Sequence, residues 1–278
     1  LIGFVVQLFP SKYVRIGGYA LLGVAAVCLY LMIIPGSPFV STINDAERWF
    51  KIFGFSFQPS ELAKLGLIIV VADRLSQAHD EQELVKEFYR TLILSAVIIF
   101  PILLGNLSTA LLLGGVVFLM WFLARVPLKY LGAILAIAVV LLVSGYFIVE
   151  YGFVRAHRQM SGPFKRAITW VGRIDKFIAD DDAVDDGGDD YQRTHATMAI
   201  ARGGASPLGV LPGNSVERNW LPLAYADYIF AIIVEETGFI GALVLIILYV
   251  VILFRACYTS SKYADYSAML MVMGLALM

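Results

Sequence analysis

Charged residues are scarce in this sequence. Only 15% of its 278 residues are Asp, Glu, Lys or Arg, whereas soluble domains carry about a quarter. The net charge of -1 gives no argument for a nucleic-acid partner. With 59% hydrophobic residues and a mean hydropathy of +0.78, the composition indicates an integral membrane protein with several helical spans.

Cysteine and histidine are also scarce. Cys28 and Cys257 lie in apolar runs, which predicts small core residues and not a disulfide framework or a metal site. His157 and His195 have no ligand spacing around them, and no Ser-His-Asp set is evident. The glycine-rich stretch lacks the lysine-hydroxyl ending of a Walker loop. Metal, serine-hydrolase and P-loop chemistry therefore have no motif here.

What the chain does contain is a series of long apolar runs. Residues 16–34 form an uncharged run of 19 residues, the length that a transmembrane helix needs. A proline and a glutamate at the start of 58–72 predict another helix there. Further apolar runs are 91–104, which we expect Pro101 to break, 107–124, 131–149 and 239–254. We predict an all-α, polytopic transmembrane bundle that forms a single membrane domain, 1–278.

The segments between these runs are more polar. We expect 39–57 to be an interfacial segment, 73–90 a solvated, helical loop and 150–219 a large extracytoplasmic loop. Because the chain begins and ends within apolar runs, we also expect spans beyond both ends.

The basic residues predict an orientation. They fall at alternate loops, so simple alternation of spans places them on one side, which the positive-inside rule makes cytoplasmic. The long loop and Asp227 then face outward. The four basic groups are Lys12/Arg15, Arg74/Lys86/Arg90, Arg125/Lys129 and Arg255/Lys262.

The stretch 220–241 holds three carboxylates, Asp227, Glu235 and Glu236, ahead of an apolar run. Ionisable groups at a membrane boundary are costly, so they usually mark a functional site. Asp227 is either a general base at the outer mouth of a cavity or a helix N-cap, and the two roles are compatible. For Glu235 and Glu236, interhelical hydrogen bonding or pairing with a lysine or arginine is at least as well supported as a catalytic role.

Two further sets of charges precede this stretch. Glu61 and Lys64 are spaced to pair on one helix face, and we favour a structural pair lining a polar cavity over a catalytic pair. Arg48 and Lys51 flank Trp49-Phe50. They are either an interfacial anchor or cations that hold the phosphate oxygens of a lipid carrier, and the sequence leaves both open.

Two polar stretches lie in the long loop. Arg202 and Arg218 bracket a glycine-rich run, 203–215. Its glycines either allow close packing and positive φ, or let backbone N–H groups contact an anionic headgroup. The tract 180–190 holds seven aspartates without the spacing of a calcium loop, which favours a solvated loop over a metal site.

Three motifs resemble the SEDS family of FtsW/RodA-type peptidoglycan glycosyltransferases. They are F-Q-P-S-E-L-A-K-L at 57–65, G-N-S at 213–215 and L-P-x-x-Y-A-D-Y-I-F-A-I-I-V-E-E-T-G at 221–238. Arg48-Trp49, Tyr191-Gln192 and Gly203-Gly204 match shorter family elements. The family's P-D-L-G-T-A is G-N-L-S-T-A here, which loses an acid, and its H-T-D-F-I-F is A-Y-A-D-Y-I-F, which keeps Asp227. The chain is nearer the FtsW branch.

The resemblance implies a fold of ten spans, of which about eight lie in this chain, in the bacterial inner (cytoplasmic) membrane. The active site would be on the outer face. The implied reaction transfers lipid II disaccharide units from undecaprenyl pyrophosphate to the 4-hydroxyl of an acceptor sugar, in cell division or elongation. A base must take the hydroxyl proton, and the leaving pyrophosphate must be stabilised.

The resemblance also implies roles for single residues and for partners. Asp227 would be the catalytic base, and a divalent cation, Mg²⁺ or Mn²⁺, would share the stabilisation of pyrophosphate. The implied protein partners are a class B penicillin-binding protein transpeptidase and other divisome or elongasome membrane proteins. Candidate substrate-binding residues are Arg48, Lys51, Glu61, Lys64, Arg202, Asn214, Ser215 and Arg218.

Two other functions fit the same sequence. A lipid II flippase would use the same charges in its cavity, and it would move the headgroup without forming glycan. A scaffold for a partner transpeptidase would not need Asp227, although it would need its membrane-facing surfaces.

Overall fold

The chain is mostly helical in the computed structural model, as its apolar runs predict. The structure describes residues 11–34, 40–43, 46–52, 55–154, 167–168, 170–172, 188–221, 228–260, 262 and 266–278. Within these residues the α-helices are α1 Ser11–Ile33, α2 Pro59–Ser76, α3 Glu81–Gly105, α4 Leu107–Leu123, α5 Leu128–Val149, α6 Gly188–Gly204, α7 Ile229–Ser260 and α8 Tyr266–Ala276. A π-helical turn, Glu150–Val154, follows α5, and a 3-10 turn, Glu217–Asn219, precedes α7.

Four of the described helices are long and apolar enough to cross a membrane, namely Lys12–Ile33, Glu81–Gly105, Leu128–Phe153 and Ile229–Ser260. Helices α4 and α8 are apolar but shorter. Only 6% of the most apolar stretch of the third span is buried, and side chains such as Val140 and Leu141 are about two-thirds exposed. An aliphatic surface of this extent requires lipid around it.

The chain divides into two compact units, Leu1–Ala179 with Ala256–Met278, and Asp180–Arg255. The first unit is built around α2, which packs against α1, α3, α4 and α8. Ala63, Leu67 and Val71 of α2 are fully buried in this core. The central position of α2 explains why a helix with four charged residues is stable in an apolar bundle, because its apolar face is enclosed by the other helices.

The prediction of an interfacial segment at 39–57 missed a small sheet. Strands β1 Val40–Ile43, β2 Ala46–Ile52 and β3 Phe55–Phe57 form an antiparallel meander in the order β1-β2-β3. Two residues lie between each strand and the next in the sequence. The alternation in F-S-F and the β-branched residues of V-S-T-I are strand signals, whereas Trp49-Phe50 also fits a membrane interface.

The prediction of a solvated, helical loop at 73–90 is confirmed in its helical character and in the exposure of 79–83, but the segment is not a separate loop, and Asp73 and Glu87 within it are buried. Most of this segment is the end of α2 and the start of α3, and only residues 77–80 lie between the two helices. Asp73 is buried, accepts hydrogen bonds from Tyr19 Oη (3.1 Å) and Gln77 Nε2 (3.0 Å), and pairs with Arg15 Nε at 3.4 Å. These contacts offset the cost of burying the carboxylate.

The start of α3 carries a signal that the sequence prediction overlooked. The Asp80 carboxylate accepts from Glu83 N at 2.7 Å, and the Glu83 carboxylate accepts from His79 N at 3.0 Å. This exchange closely follows the capping-box pattern of a helix start. The helix then continues to Gly105 without a break at Pro101, whereas the sequence predicted an interruption there. Asn106 ends α3 and caps α4.

The long polar loop predicted at 150–219 also contains regular structure. Helix α6 occupies 17 residues of it. Ala196 and Ala199 of α6 are buried against Ala231 of α7. Small side chains allow the two helices to approach closely, and the contact gives α6 a buried face despite its polar sequence.

Candidate functional site

The second unit contains a buried carboxylate, Glu235 of α7, whose side chain is fully inaccessible to solvent. Arg202 Nη1 of α6 lies 3.2 Å from Glu235 Oε1, and Val216 N donates to the same oxygen at 3.2 Å. Ser215 Oγ donates to Oε2. A buried charge is tolerated only when it is paired and hydrogen-bonded in this way. The pairing with an arginine, one of the two interpretations of Glu235, is confirmed.

A second buried carboxylate, Glu217, extends this group of residues. Its Oε1 lies 3.5 Å from Arg202 Nη1, and its Oε2 lies 2.6 Å from His195 Nδ1. Because an ionised carboxylate only accepts, the Nδ1–H of His195 is the donor. The imidazole also stacks on Trp220, with ring centroids 6.0 Å apart and planes 10° from parallel. We call His195, Arg202, Ser215, Glu217 and Glu235 the polar cluster.

Backbone hydrogen bonds hold the glycine-rich run against α7. Val210 N donates to the backbone oxygen of Glu235 at 2.9 Å, and Phe239 N donates to Ser206 O at 3.3 Å. The second contact is possible because Gly238 has a φ of 71°, which interrupts the helical geometry of α7. Of the two roles considered for the glycines, close packing with positive φ is the one seen in these contacts.

The adjacent glycines Gly203 and Gly204 provide a matched test of this packing. A Cβ on Gly203 would lie 2.0 Å from the backbone oxygen of Val234, whereas a Cβ on Gly204 would meet nothing within 4 Å. We expect Gly203→Ala to reduce the free energy of unfolding by at least about 1–3 kcal/mol, the typical cost of overpacking. Gly204→Ala should have little effect. Thermal unfolding of the two purified variants measures the difference, and equal Tm values would contradict the close contact.

The remaining candidates of this run differ in how much of their side chain is available. Asn214 is exposed, and its Nδ2 donates to Val210 O at 3.2 Å. Arg218 is exposed, and no described carboxylate lies within ion-pair distance of its guanidinium. Arg202 and Ser215 are instead engaged by Glu235. Arg218 is therefore the cation of this group that is open to an external anion.

Several candidates fall outside the described residues. They include Asp227, His157 and most of the acidic tract, 180–187. Asp227 precedes the first residue of α7, Ile229, by two positions. Its assignment as the base stays a prediction.

The candidates of the first unit lie on α2 and β2. Lys64 Nζ is 2.8 Å from Glu61 Oε2, which confirms the predicted pair. The lysine side chain is 16% exposed and that of the glutamate 57%. In the sheet, Ser41 pairs with Trp49 and Thr42 with Glu47, so that Arg48 is the extra residue of a β-bulge. Lys51 pairs with Ser56 on the other side. The side chains of Arg48 and Lys51 are not among those described.

Glu217 and His195 are the functional candidates that the sequence analysis missed. They are 22 residues apart, and no spacing rule connects them. A weak signal was present, since Glu217 is separated from the G-N-S motif by Val216 alone and an acid there needs a partner when buried. The sequence does not identify His195 as that partner, because His195 lies on α6, a helix that the sequence does not predict.

The described residues do not form a metal site. Among them, no group of three or more His, Cys, Asp or Glu side chains has the geometry to hold an ion. The two buried carboxylates of the polar cluster are already engaged by Arg202, His195 and Ser215. This cluster does not fit the predicted Mg²⁺ or Mn²⁺, and we derive no step through a cation.

Relatives of this chain among known proteins carry the same name. A chain from Marinomonas mediterranea named probable peptidoglycan glycosyltransferase FtsW is 30% identical over 256 residues, which are 91% of this chain and 57% of the relative. Its counterpart from Hahella chejuensis is 31% identical over 292 residues, covering 99% of this chain and 67% of the relative. The chain thus spans about three-fifths of the length of such relatives.

Solved structures give the same fold. A chain of a peptidoglycan synthase complex, described as coordinating polymerization and crosslinking, matches 98% of this chain with a TM-score of 0.70 at 23% identity. The rod shape determining protein RodA of Thermus thermophilus matches with a TM-score of 0.56 at 20% identity. The sequence profile of the cell cycle proteins FtsW, RodA and SpoVE matches residues 1–278. This chain is therefore a multi-pass membrane protein that belongs to the FtsW/RodA/SpoVE family of cell cycle proteins.

Proposed function

We propose that the protein is a peptidoglycan glycan-strand polymerase that uses lipid II. The observation that carries the proposal is the match of 91–99% of the chain to relatives named probable peptidoglycan glycosyltransferase FtsW. The reaction transfers the disaccharide of lipid II from its undecaprenyl pyrophosphate to the 4-hydroxyl of an acceptor sugar. The site would lie on the outer face of the cytoplasmic membrane, where the basic residues predict Asp227 to be.

In this proposal Asp227 takes the proton of the acceptor hydroxyl as that oxygen attacks the donor sugar. The polar cluster has a positioning role. Glu235 holds Ser215 and Val216, so the segment between the G-N-S motif and the 3-10 turn is attached to α7, the helix that Asp227 precedes. A rigid attachment of this kind keeps catalytic groups close to the productive geometry.

The leaving pyrophosphate needs positive charge that is not already neutralised. Arg202 faces two carboxylates, at 3.2 and 3.5 Å, and so has little capacity for a further anion. Arg218 has no such partner among the described residues and is exposed. We therefore assign the pyrophosphate contact to Arg218 first and regard Arg202 as part of the support.

The test of the function is a product assay. Purified protein is mixed with lipid II, and glycan strands are separated by length. We expect polymer from the protein without any other enzyme. Movement of the lipid II headgroup across vesicles without polymer would instead indicate a transporter and would contradict the proposal.

The assignment of Arg218 makes a separate prediction. Arg218→Gln should weaken the binding of lipid II by about 10–100-fold, since a hydrogen bond to a charged group contributes about 1.5–3 kcal/mol. Arg193→Gln, which removes the same charge from an exposed position on α6, is the matched control and should bind as wild type does. Binding of fluorescent lipid II measures both variants. Equal affinity in the two would remove Arg218 from the site.

We also propose that the protein acts with a transpeptidase of the class B penicillin-binding proteins. The similarity of fold to a chain of a peptidoglycan synthase complex supports this partner. Other membrane proteins of the divisome or elongasome would join the same assembly.

A further inference from the structure

A groove in the first unit has no part in the proposed reaction. It has a volume of about 650 Å³, within the range of small-molecule pockets, about 300–1,000 Å³. Helix α1 forms one wall, α3 the other, and the end of α2 lies between them. The groove is lined by Tyr19, Leu22, Gly23, Ala26, Val70, Arg74, Arg90, Thr91, Leu94, Val97 and Ile98.

The two ends of the groove differ in polarity. Tyr19, Arg74 and Arg90 lie at one end, and aliphatic residues line the rest. Seven residues separate Tyr19 from Ala26, which corresponds to about 10 Å of helix. The hydrocarbon core of a bilayer is about 30 Å thick, so a groove of this length is short enough to fit within one leaflet. Tyr30 Oη of α1 donates to Val97 O of α3 at 3.0 Å, a hydrogen bond that joins the two helices forming the walls of the groove.

The polar end carries an excess of positive charge. Arg74 contacts the ring of Tyr19 at 5.7 Å, and no described carboxylate pairs with it. Arg90 pairs with Glu87, but its side chain is 65% exposed. Asp73, the nearest other acid, already contacts Arg15 and Tyr19. Two arginines, Arg74 and Arg90, thus line the mouth of an apolar groove, and Glu87 pairs with one of them.

We propose that this groove binds one anionic phospholipid of the surrounding leaflet. Its phosphate would contact Arg74 and Arg90, and one acyl chain would lie along Gly23, Ala26 and Val97. The basic-residue pattern predicts that this end of the helices faces the cytoplasm, where basic pockets between helices meet anionic headgroups. The polyprenyl substrate is not the expected occupant, because its chemistry is proposed for the opposite face.

The test measures lipid binding and does not depend on polymerase activity. The protein is reconstituted with phosphatidylcholine and phosphatidylglycerol, and the lipids retained after purification are identified by native mass spectrometry. We expect wild type to retain phosphatidylglycerol preferentially. Arg74→Gln with Arg90→Gln should reduce that preference by about five-fold for each arginine. Lys129→Gln, a basic residue outside the groove, should not.

Glycines of α1 provide a second, matched pair. A Cβ on either Gly23 or Gly17 would meet nothing within 4 Å, but only Gly23 lines the groove. Gly23→Leu should therefore exclude the lipid, whereas Gly17→Leu should retain it. Three results would each overturn the proposal: equal retention of the two lipids by wild type, unchanged retention by Gly23→Leu, or displacement of phosphatidylglycerol by undecaprenyl phosphate at equal amounts.

Discussion

Asp227→Ala should reduce the polymerisation of lipid II by about 10²–10⁴-fold, the usual contribution of a positioned acid–base group. The acceptor hydroxyl is a poor nucleophile until its proton is removed, and the alanine variant lacks the proposed base. The rate of glycan formation at saturating lipid II measures the loss. The affinity for lipid II should change much less, because the aspartate acts on the transition state.

Asp190→Asn is the control for this prediction, since it removes a carboxylate from the acidic tract and should leave the rate unchanged. Asp227→Asn is the closest change in shape and should be as inactive as the alanine variant. Polymerisation at the wild-type rate by Asp227→Ala would refute the role of the base. It would also favour the scaffold hypothesis, in which this aspartate is dispensable.

The apolar helices of this protein could be predicted from the sequence because each is marked by a local run of apolar residues, whereas the polar helix α6 was not predicted. The run 16–34 and the start at Pro59 correspond to α1 and α2 within a few residues. The pair of Glu61 and Lys64 could be predicted for the same reason, since an i, i+3 spacing within one helix fixes the neighbours.

Features that depend on contacts between distant segments could not be predicted. The burial of Asp73 requires Tyr19 and Arg15 on another helix, and charged residues without visible partners were assigned to solvent. The sheet was missed because its aromatic residues also fit a membrane interface. Glu217 lay within a segment interpreted as loop, and its burial depends on α6. Hydrophobic periodicity carries no information about which residues of distant segments pair with one another.

Glu235→Ala should strongly destabilise the second unit. It leaves Ser215 Oγ and Val216 N without their acceptor and removes one carboxylate from Arg202. Removing one partner of a buried ion pair costs about 3–5 kcal/mol. We expect a fall in Tm that thermal unfolding of the purified protein detects readily, with lipid II polymerisation lost in parallel because the G-N-S segment is no longer attached to α7.

Glu236→Ala is the matched control, because this neighbouring carboxylate is only partly buried and should change stability by no more than about 0.5 kcal/mol. Glu235→Gln should be intermediate, since its amide oxygen can still accept from Val216 N while the charge opposite Arg202 is gone. Arg202→Ala should also destabilise the protein strongly, because it leaves the buried carboxylates of Glu217 and Glu235 without the cation that they share. An unchanged Tm in Glu235→Ala would show that the carboxylate does not hold this segment. A Tm that is lowest for Glu235→Ala, intermediate for Glu235→Gln and highest for wild type would show that both the hydrogen bonds and the charge of Glu235 hold this segment.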